Sequence, residues 1–213
     1  MKKIVLLVAF AGILGVADIG AKTYAEGRME AKIVASVQGA VGVDVDIDSF
    51  PFAGRLLASG RVPKIDLRVE RISGRSLEVT NTLVRLEGVE LDKARLAQGK
   101  AEVTNIDRGT VELTIKSIAL SAVAPAEVEL RLAGGRLQAS FRGRPVAEAT
   151  LVLSERGALE VRIPPLPVVT ISIPGTDLFP CRPDLEMADD EVRLRCSFEA
   201  VPPALLRVAI TSR

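Results

Sequence analysis

The chain has 213 residues, with 28 Lys and Arg against 27 Asp and Glu, and it contains no His or Trp. This near-neutral charge, without a basic cluster, argues against a nucleic-acid-binding protein. The lack of His removes the commonest general base and the commonest metal ligand, so we predict no enzyme, metal site or cofactor. Hydrophobic residues make up 48% of the chain but aromatic residues only 3%, which predicts an aliphatic core.

Residues 1–17 are typical of a targeting segment. Lys2 and Lys3 precede an uncharged, mostly apolar run from Ile4 to Ala17. The small residues at 15–17 suit cleavage of a signal peptide, whereas retention of the segment would give an N-terminal membrane anchor. Both alternatives place the folded part, residues 18–213, outside the cytoplasm.

An amphipathic helix is predicted from Asp18 to Gly39, and Asp18 can cap its start if the chain is cleaved or kinked there. Its apolar residues recur every four positions: Ala21, Ala25, Met29, Ile33 and Val37. Such a stripe usually packs on a sheet, and the alternative is that one side of it lines a cavity. The next stretch, Val43 to Asp48, alternates as a strand does. Its three aspartates do not continue into a calcium-binding loop, because Ser49 and Arg55 occupy positions that need Gly and Glu.

The chain then predicts a short helix followed by a strand. Pro51 suits a helix start and Gly60 a helix end, and the residues from Lys64 to Glu70 alternate between apolar and charged. A helix of barely two turns has no stability of its own, so its apolar side must rest on something apolar. We interpret it as a lip helix on a curved sheet whose concave side is apolar.

Further alternation predicts an antiparallel sheet continuing through the rest of the chain. The predicted strands cover residues 77–91, 101–106, 110–115, 128–132, 137–141, 146–153, 159–163 and 169–173. A turn is expected at 107–109, and a second short helix at 117–123. Prolines at 164, 165 and 167 interrupt the pairing before the last of these strands.

Cys181 and Cys196, the only two cysteines, are predicted to form a structural disulfide. A hairpin centred on Ala188 and Asp189 would place them opposite each other. The same register would pair Leu185 with Val192, so apolar and cysteine pairing agree.

The order of these parts resembles the LmeA-like phospholipid-binding family of bacterial cell envelopes. The stretches that carry the resemblance are Phe50-Pro51-Phe52, Leu56-Leu57 with Gly60, Ile65–Val69, Leu83–Val89, Val111–Ile115 and Ala188–Val192. The two cysteines and the proline-rich stretch at 164–167 depart from the family pattern.

The resemblance implies an α+β fold in which a highly curved antiparallel sheet wraps a long N-terminal amphipathic helix, similar to the tubular lipid-binding proteins, with an apolar tunnel. It implies a phospholipid-binding protein on the extracytoplasmic side of the bacterial membrane that holds or transfers acyl lipids for envelope lipid or lipoglycan maintenance. Its partners would be phospholipid and the membrane. The alternative is a membrane-anchored structural or adaptor protein with a closely packed core and no lipid. The residues predicted to contact lipid are Phe50, Phe52, Leu56, Leu57, Ile65, Leu67, Val69, Met29 and Ile33.

Overall fold

The computed structural model describes residues 2–74, 77–98, 102–124, 127–142, 144–154, 157–164, 166–174 and 179–199, without the side chains of residues 2–17 and 145–147. The fold is α+β, as predicted, with antiparallel strands in two sheets and a long N-terminal helix. Among the residues whose side chains are described, no helix combines the length and the apolar character needed to cross a membrane. The predicted targeting segment, residues 1–17, lies outside those residues and stays a prediction.

The elements follow the predicted order closely. The helices are α1 (Lys2–Ser36), α2 (Phe52–Ser59), α3 (Lys93–Ala97) and α4 (Ser117–Ala122). The strands are β1 (Ala40–Asp48), β2 (Arg61–Ser73), β3 (Glu78–Leu91), β4 (Val103–Lys116), β5 (Val128–Ala133), β6 (Arg136–Phe141), β7 (Arg144–Leu153), β8 (Leu159–Arg162), β9 (Val169–Ile171), β10 (Asp184–Met187) and β11 (Glu191–Glu199).

The strands form two sheets where the sequence predicted a single continuous one. The larger sheet has the order β1-β2-β3-β4-β11-β10, and the smaller one runs β5-β6-β7-β8-β9. The chain therefore leaves the larger sheet after β4, builds the smaller sheet, and returns so that β11 pairs with β4. Every other antiparallel pair joins strands that are consecutive in the chain, whereas β4 and β11 are far apart in sequence, so sequence spacing alone does not reveal their pairing.

The predicted turn at 107–109 is wrong, because β4 runs through it without a break. Gly109 pairs with Leu86 on one side and with Phe198 on the other, so its backbone belongs to the ladder. An Asp-Arg-Gly sequence is typical of turns, but here two neighbouring strands hold it extended.

The larger sheet is strongly curled, and two kinks accompany the curl. Buried side chains normally alternate in a strand, yet in β2 the pairs Val62–Ile65 and Val69–Ile72 are each separated by three positions. Gly88 and Asn81 of β3 lie opposite these two places and have positive φ values of 63° and 51°. A positive φ turns the strand locally, which keeps apolar side chains on the same side of the sheet while the sheet bends.

Apolar side chains pack in two clusters on the inner side of the larger sheet. The first, which we call the sheet-sheet cluster, joins the smaller sheet to β4, β11 and the far ends of β2 and β3. The second, the helix-side cluster, lies where α1 and α2 face the sheet. Leu67 of β2 contacts both clusters, so the two are continuous.

The late hairpin forms with a register two residues away from the predicted one. Leu185 pairs with Leu194 and Met187 with Val192, because the turn closes through the N–H of Ala188 and the carbonyl of Glu191 at 2.9 Å. A shift of two residues leaves each side chain on its predicted face, so the apolar pairing survives.

The predicted disulfide is present between Cys181 and Cys196, with the two Cα atoms 5.9 Å apart. Cys181 precedes β10, so the bond ties a loop to the buried side of β11 and does not join two paired strand residues. The bond therefore fixes the approach of the chain to the late hairpin.

We expect the paired substitution Cys181→Ala with Cys196→Ala to lower the free energy of unfolding by about 3 kcal/mol, because the bond closes a loop of this length in the unfolded chain. Denaturant unfolding under oxidising conditions measures the difference. The unsubstituted protein in excess reductant is the control and should fall towards the same value. Equal stability of the oxidised protein and the double variant would contradict a structural role.

Candidate functional site

The helix-side cluster is the candidate lipid site. Its fully buried members come from β1 to β4 and from α2: Val45, Ile47, Phe52, Val62, Ile65, Val89 and Ile106. Its partly buried members include one stripe of α1 and several residues of the sheet: Ala21, Ala25, Met29, Ile33, Leu56, Leu67, Leu86, Leu91, Val103 and Phe198. The predicted apolar stripe of α1 is confirmed, since four of its five residues lie here and the fifth, Val37, contacts the other cluster.

The two clusters differ in how completely they are covered. Among the residues whose side chains are described, the sheet-sheet cluster has twice as many fully buried residues as partly buried ones, 22 against 11. The helix-side cluster reverses this, with seven fully buried and ten partly buried. An aliphatic surface that remains partly open to water costs free energy, and a hydrocarbon ligand would recover it. The seam between α1 and the sheet is where the described surface is most suited to an acyl chain.

One row of cross-strand partners crosses this seam from the edge strand β1 to β11. Ile47, Ile65, Leu86, Gly109 and Phe198 are successive cross-strand partners on five strands. The Phe198 ring occupies the space over Gly109 where any other residue would place its Cβ. Gly109 therefore admits the only aromatic ring that β11 adds to this cluster.

Carboxylates of α1 hold the helix against the edge of the larger sheet. The edge strand β1 has backbone N–H groups with no further strand to pair with, and two of them donate to the helix. The N–H of Ile47 donates to Glu26 Oε1 at 2.9 Å, and the N–H of Val45 donates to Glu30 Oε1 at 3.2 Å. Glu26 and Glu30 thus replace the missing strand, which sets the distance between α1 and the sheet.

Lys22 completes this contact from one turn earlier in α1. Its Nζ lies 3.0 Å from Asp46 Oδ1 and 3.5 Å from Glu26 Oε1. The hydrogen bond to Asp46 raises the pKa of Lys22 above its ordinary value, with Glu26 adding to the effect and burial opposing it. The lysine therefore stays charged and neutralises part of the acidic contact.

Asp18 ties α2 to the same face of α1. The N–H of Phe52 donates to Asp18 Oδ2 at 2.7 Å, and the N–H of Ala53 donates to Oδ1 at 2.6 Å. Pro51, the N-cap residue of α2, makes no side-chain hydrogen bond to the helix start. Asp18 was expected to cap its own helix only if the chain is cleaved or kinked there; α1 runs unbroken from Lys2 to Ser36, and the carboxylate caps α2.

The sequence-predicted lipid residues fall into three groups. Phe52, Ile65 and Val69 are buried, at 6%, 7% and 1% exposure. Leu56, Leu67, Met29 and Ile33 are partly buried in the helix-side cluster. Phe50 and Leu57 face solvent, at 72% and 76% exposure, and lie outside the cluster. Eight of the nine lie on α1, α2 or β2, and the ninth, Phe50, lies two residues before the start of α2.

Sequence reasoning did not find the roles of Asp18, Glu26 and Glu30. They recur with Lys22 at intervals of four residues, which puts all four on one side of α1, next to its apolar stripe. That spacing was the available signal. The sequence alone does not show that a sheet edge lies beside these residues.

Two open cavities lie on the larger sheet; charged residues predominate in the lining of the first and make up half of the lining of the second. One of about 720 Å³ is bordered by Arg55, Arg61, Glu87, Asp107 and Arg108, and the other, of about 330 Å³, shares Glu87 and Arg108. Arg61 pairs with Asp107 and Arg108 with Glu87, so much of this charge is internally neutralised. Neither cavity has the apolar lining predicted for the tunnel.

An ion-paired aspartate lies in the same part of the sheet. Asp66 is within 2.6 Å of Lys64 and 2.9 Å of Arg85. Burial raises the pKa of Asp66, but the hydrogen bonds from Lys64 and Arg85 outweigh it, so the pKa lies below its ordinary value. The group is ionised at neutral pH, as a structural surface ion pair would be.

Comparison with protein families gives a match over residues 16–195 to the model for LmeA-like phospholipid-binding proteins. The chain belongs to this family. Comparison with curated proteins and with solved structures gives no match. The family match begins two residues before Asp18 and ends at Arg195 in β11, so it includes α1 from Asp18 onwards, both sheets and nearly all of the helix-side cluster.

Two buried hydroxyls in the described part of this LmeA-like fold, those of Ser49 and Thr82, lack a hydrogen-bond partner, and Thr82 lies on the inner side of the larger sheet. Thr82 is 1% exposed, and its Oγ1 makes no hydrogen bond within the described residues. It lies opposite Val69, near the junction of the two clusters. A buried hydroxyl without a partner costs free energy unless water or a ligand satisfies it.

We expect Asp18→Ala to lower the free energy of unfolding by about 1 kcal/mol and to increase hydrogen exchange in residues 52–59, because α2 loses the acceptor of its first N–H groups. Denaturant unfolding and peptide-level exchange measure both effects. Asp44→Ala is the matched control, because Asp44 is exposed on β1 and makes no ion pair among the described residues. Equal effects of the two substitutions would contradict the capping role.

We expect Thr82→Val to raise the free energy of unfolding by about 1 kcal/mol in lipid-free protein, because the substitution removes an unpaired buried hydroxyl at nearly constant shape. Thr80→Val is the control: the Thr80 hydroxyl donates to the Thr114 carbonyl at 3.4 Å, so its removal should give no gain. Thermal unfolding of both variants measures the two changes in stability. A loss of stability in Thr82→Val would show that the hydroxyl has a partner.

Proposed function

We propose that this protein binds phospholipid with an acyl chain in the seam between α1, α2 and the inner face of the larger sheet. The observation that carries the proposal is the partly covered helix-side cluster, found in a chain that belongs to a phospholipid-binding family. Met29 and Ile33 would contact the chain from the helix, and Leu67 and Leu86 from the sheet. In this proposal the lipid site is a groove that is open along its length, and it takes the place of the predicted tunnel.

The chemistry of the seam suits a hydrocarbon and demands little else. Each methylene transferred from water to an apolar site contributes about 0.8 kcal/mol. Burial of even part of an acyl chain therefore gives useful affinity. Aliphatic side chains supply this without directional contacts, which fits a holding or transfer role. The ester or headgroup end of the lipid would then lie towards water at a mouth of the seam.

The place of action in the proposal is the extracytoplasmic face of the bacterial membrane. Two features support it: the apolar run after Lys2 and Lys3, and a disulfide, which persists in oxidising compartments. Envelope lipid or lipoglycan maintenance is the corresponding role.

The test is native mass spectrometry of the full chain extracted from membranes in mild detergent. We expect co-purifying phospholipid, and we expect Leu67→Asp to reduce lipid occupancy about tenfold or more, because an ionised carboxylate is incompatible with a buried hydrocarbon. Ile118→Asp is the matched control, because Ile118 lies on α4, remote from the seam, and is 76% exposed. Circular dichroism checks that each variant keeps its fold.

A second variant covers the case in which Leu67→Asp does not fold. Ala25→Phe keeps the seam apolar but fills it from α1, so it should displace lipid while preserving the sheet. Absence of phospholipid from the unsubstituted protein, or unchanged occupancy in a folded seam variant, would overturn the proposal. Absence of lipid would favour the alternative of an envelope adaptor protein.

A further inference from the structure

We propose that the exposed side of α2 docks on the surface of an anionic phospholipid bilayer. The surface, which we call the α2 patch, consists of Phe50, Leu57 and the neighbouring Ile19 of α1. The inference rests on the proposed lipid function for its choice of partner, and it assigns Phe50 and Leu57 to contact with the bilayer, outside the lipid-holding seam.

The α2 patch is an unusual concentration of exposed apolar side chains. Phe50, Leu57 and Ile19 are 72%, 76% and 60% exposed. Ile19 directly follows Asp18, whose carboxylate accepts the N–H groups of Phe52 and Ala53, so Ile19 adjoins the start of α2. Single exposed apolar residues are ordinary on protein surfaces, but a group at one site marks a contact surface.

The fold prevents this surface from turning inwards. Phe52 is buried and Leu56 packs in the helix-side cluster, so the opposite side of α2 is already committed. Leu57 follows Leu56 by one residue, about 100° further around the helix, and must therefore face away from the cluster. The helix is held at both ends, by Asp18 at its start and by the Gly60 carbonyl at its end, which accepts the Leu91 N–H of β3 at 2.8 Å.

Charges around α2 favour an anionic lipid surface over a protein partner of neutral character. The stretch from Ser49 to Gly60 contains one charged residue, Arg55, which is exposed and makes no ion pair among the described residues. Lys93 of α3 reaches the end of α2, where its Nζ donates to the Ala58 carbonyl at 2.9 Å. Basic residues beside exposed Phe and Leu are the composition of segments that lie at a bilayer interface.

The chain upstream of the patch supports the same partner. Asp18 is the first residue after the apolar run Ile4 to Ala17, and α1 is continuous through this point. If that run is retained as an anchor, Ile19 lies two residues beyond it, and Asp18 joins the start of α2 to the same point of α1. A docked α2 would place Leu57 at the bilayer and the adjacent Leu56 in the seam, which gives a lipid a short apolar route between them.

The experiment places a fluorophore on α2 and compares it with an equally exposed site elsewhere. Leu57→Cys and Ile118→Cys introduce thiols at two positions that are each 76% exposed, and both native cysteines are in the disulfide. Each full-length variant is labelled with bimane and bound to vesicles of phosphatidylcholine and phosphatidylglycerol that carry a nitroxide on the acyl chain. We expect quenching at position 57 to exceed that at 118 by about twofold or more, because interfacial segments bury their apolar side several ångströms into the bilayer.

Adding Phe50→Ser to the labelled Leu57→Cys protein should reduce the quenching, because it removes the second apolar contact. Equal quenching at 57 and 118 would overturn the docking. Emission at 57 that changes with protein concentration but not with nitroxide lipid would show that the patch joins two copies, which also overturns it.

Native mass spectrometry of the same labelled proteins keeps the two proposals separate. Phospholipid cargo without selective quenching at 57 would overturn docking by α2 and leave the lipid seam supported. Selective quenching without any cargo would support docking and overturn the proposed seam.

Discussion

The seam depends on hydrogen bonds that cross from helix carboxylates to backbone N–H groups elsewhere in the chain. Glu26 and Glu30 satisfy the open edge of β1, and Asp18 satisfies the start of α2. These contacts fix α1 at the sheet edge by polar bonds on one side, while its apolar stripe faces the interior on the other. A helix held this way does not need close apolar packing to stay in place, so its aliphatic side can remain partly uncovered.

Two different kinds of packing thus share one sheet. Towards the smaller sheet, the aliphatic side chains are covered from both sides and give the fold its stability. Towards α1, the same inner face is covered by α1 and the short α2, and many of its described side chains stay partly accessible. The division fits a protein that must remain folded whether or not the seam is occupied, because the stabilising and the binding surfaces are separate and meet only near Leu67 and Thr82.

Sequence patterns predicted most of the elements because alternation and turn residues are local signals. The strand from Lys64 to Glu70 and the helix between Pro51 and Gly60 were both confirmed, and so was the disulfide. The signals failed where distant strands decide the outcome. Pairing with β3 and β11 holds the Asp107-Arg108-Gly109 stretch in an extended conformation, and no local sequence pattern reveals these two partners. The late hairpin register was wrong by two residues because either turn keeps the same side chains inside.

The candidate site was predicted in part for the same reason. Apolar periodicity identified Met29, Ile33 and Leu67, whose burial follows from the face of the element on which they lie. It did not separate Leu56 from Leu57, since a two-turn helix offers too few residues to define its apolar side. The roles of Asp18, Glu26 and Glu30 depend on which backbone groups lie across from them, and this is a tertiary fact.

The return of β11 to β4 has a consequence for a chain that is synthesised amino end first. Until residues 191–199 emerge, β4 is an unpaired edge, and the place over Gly109 that the Phe198 ring occupies is empty. The helix-side cluster is then incomplete until β11 has been made. A product that ends before β11 would lack the Phe198 ring and would expose the unpaired edge of β4 to other chains.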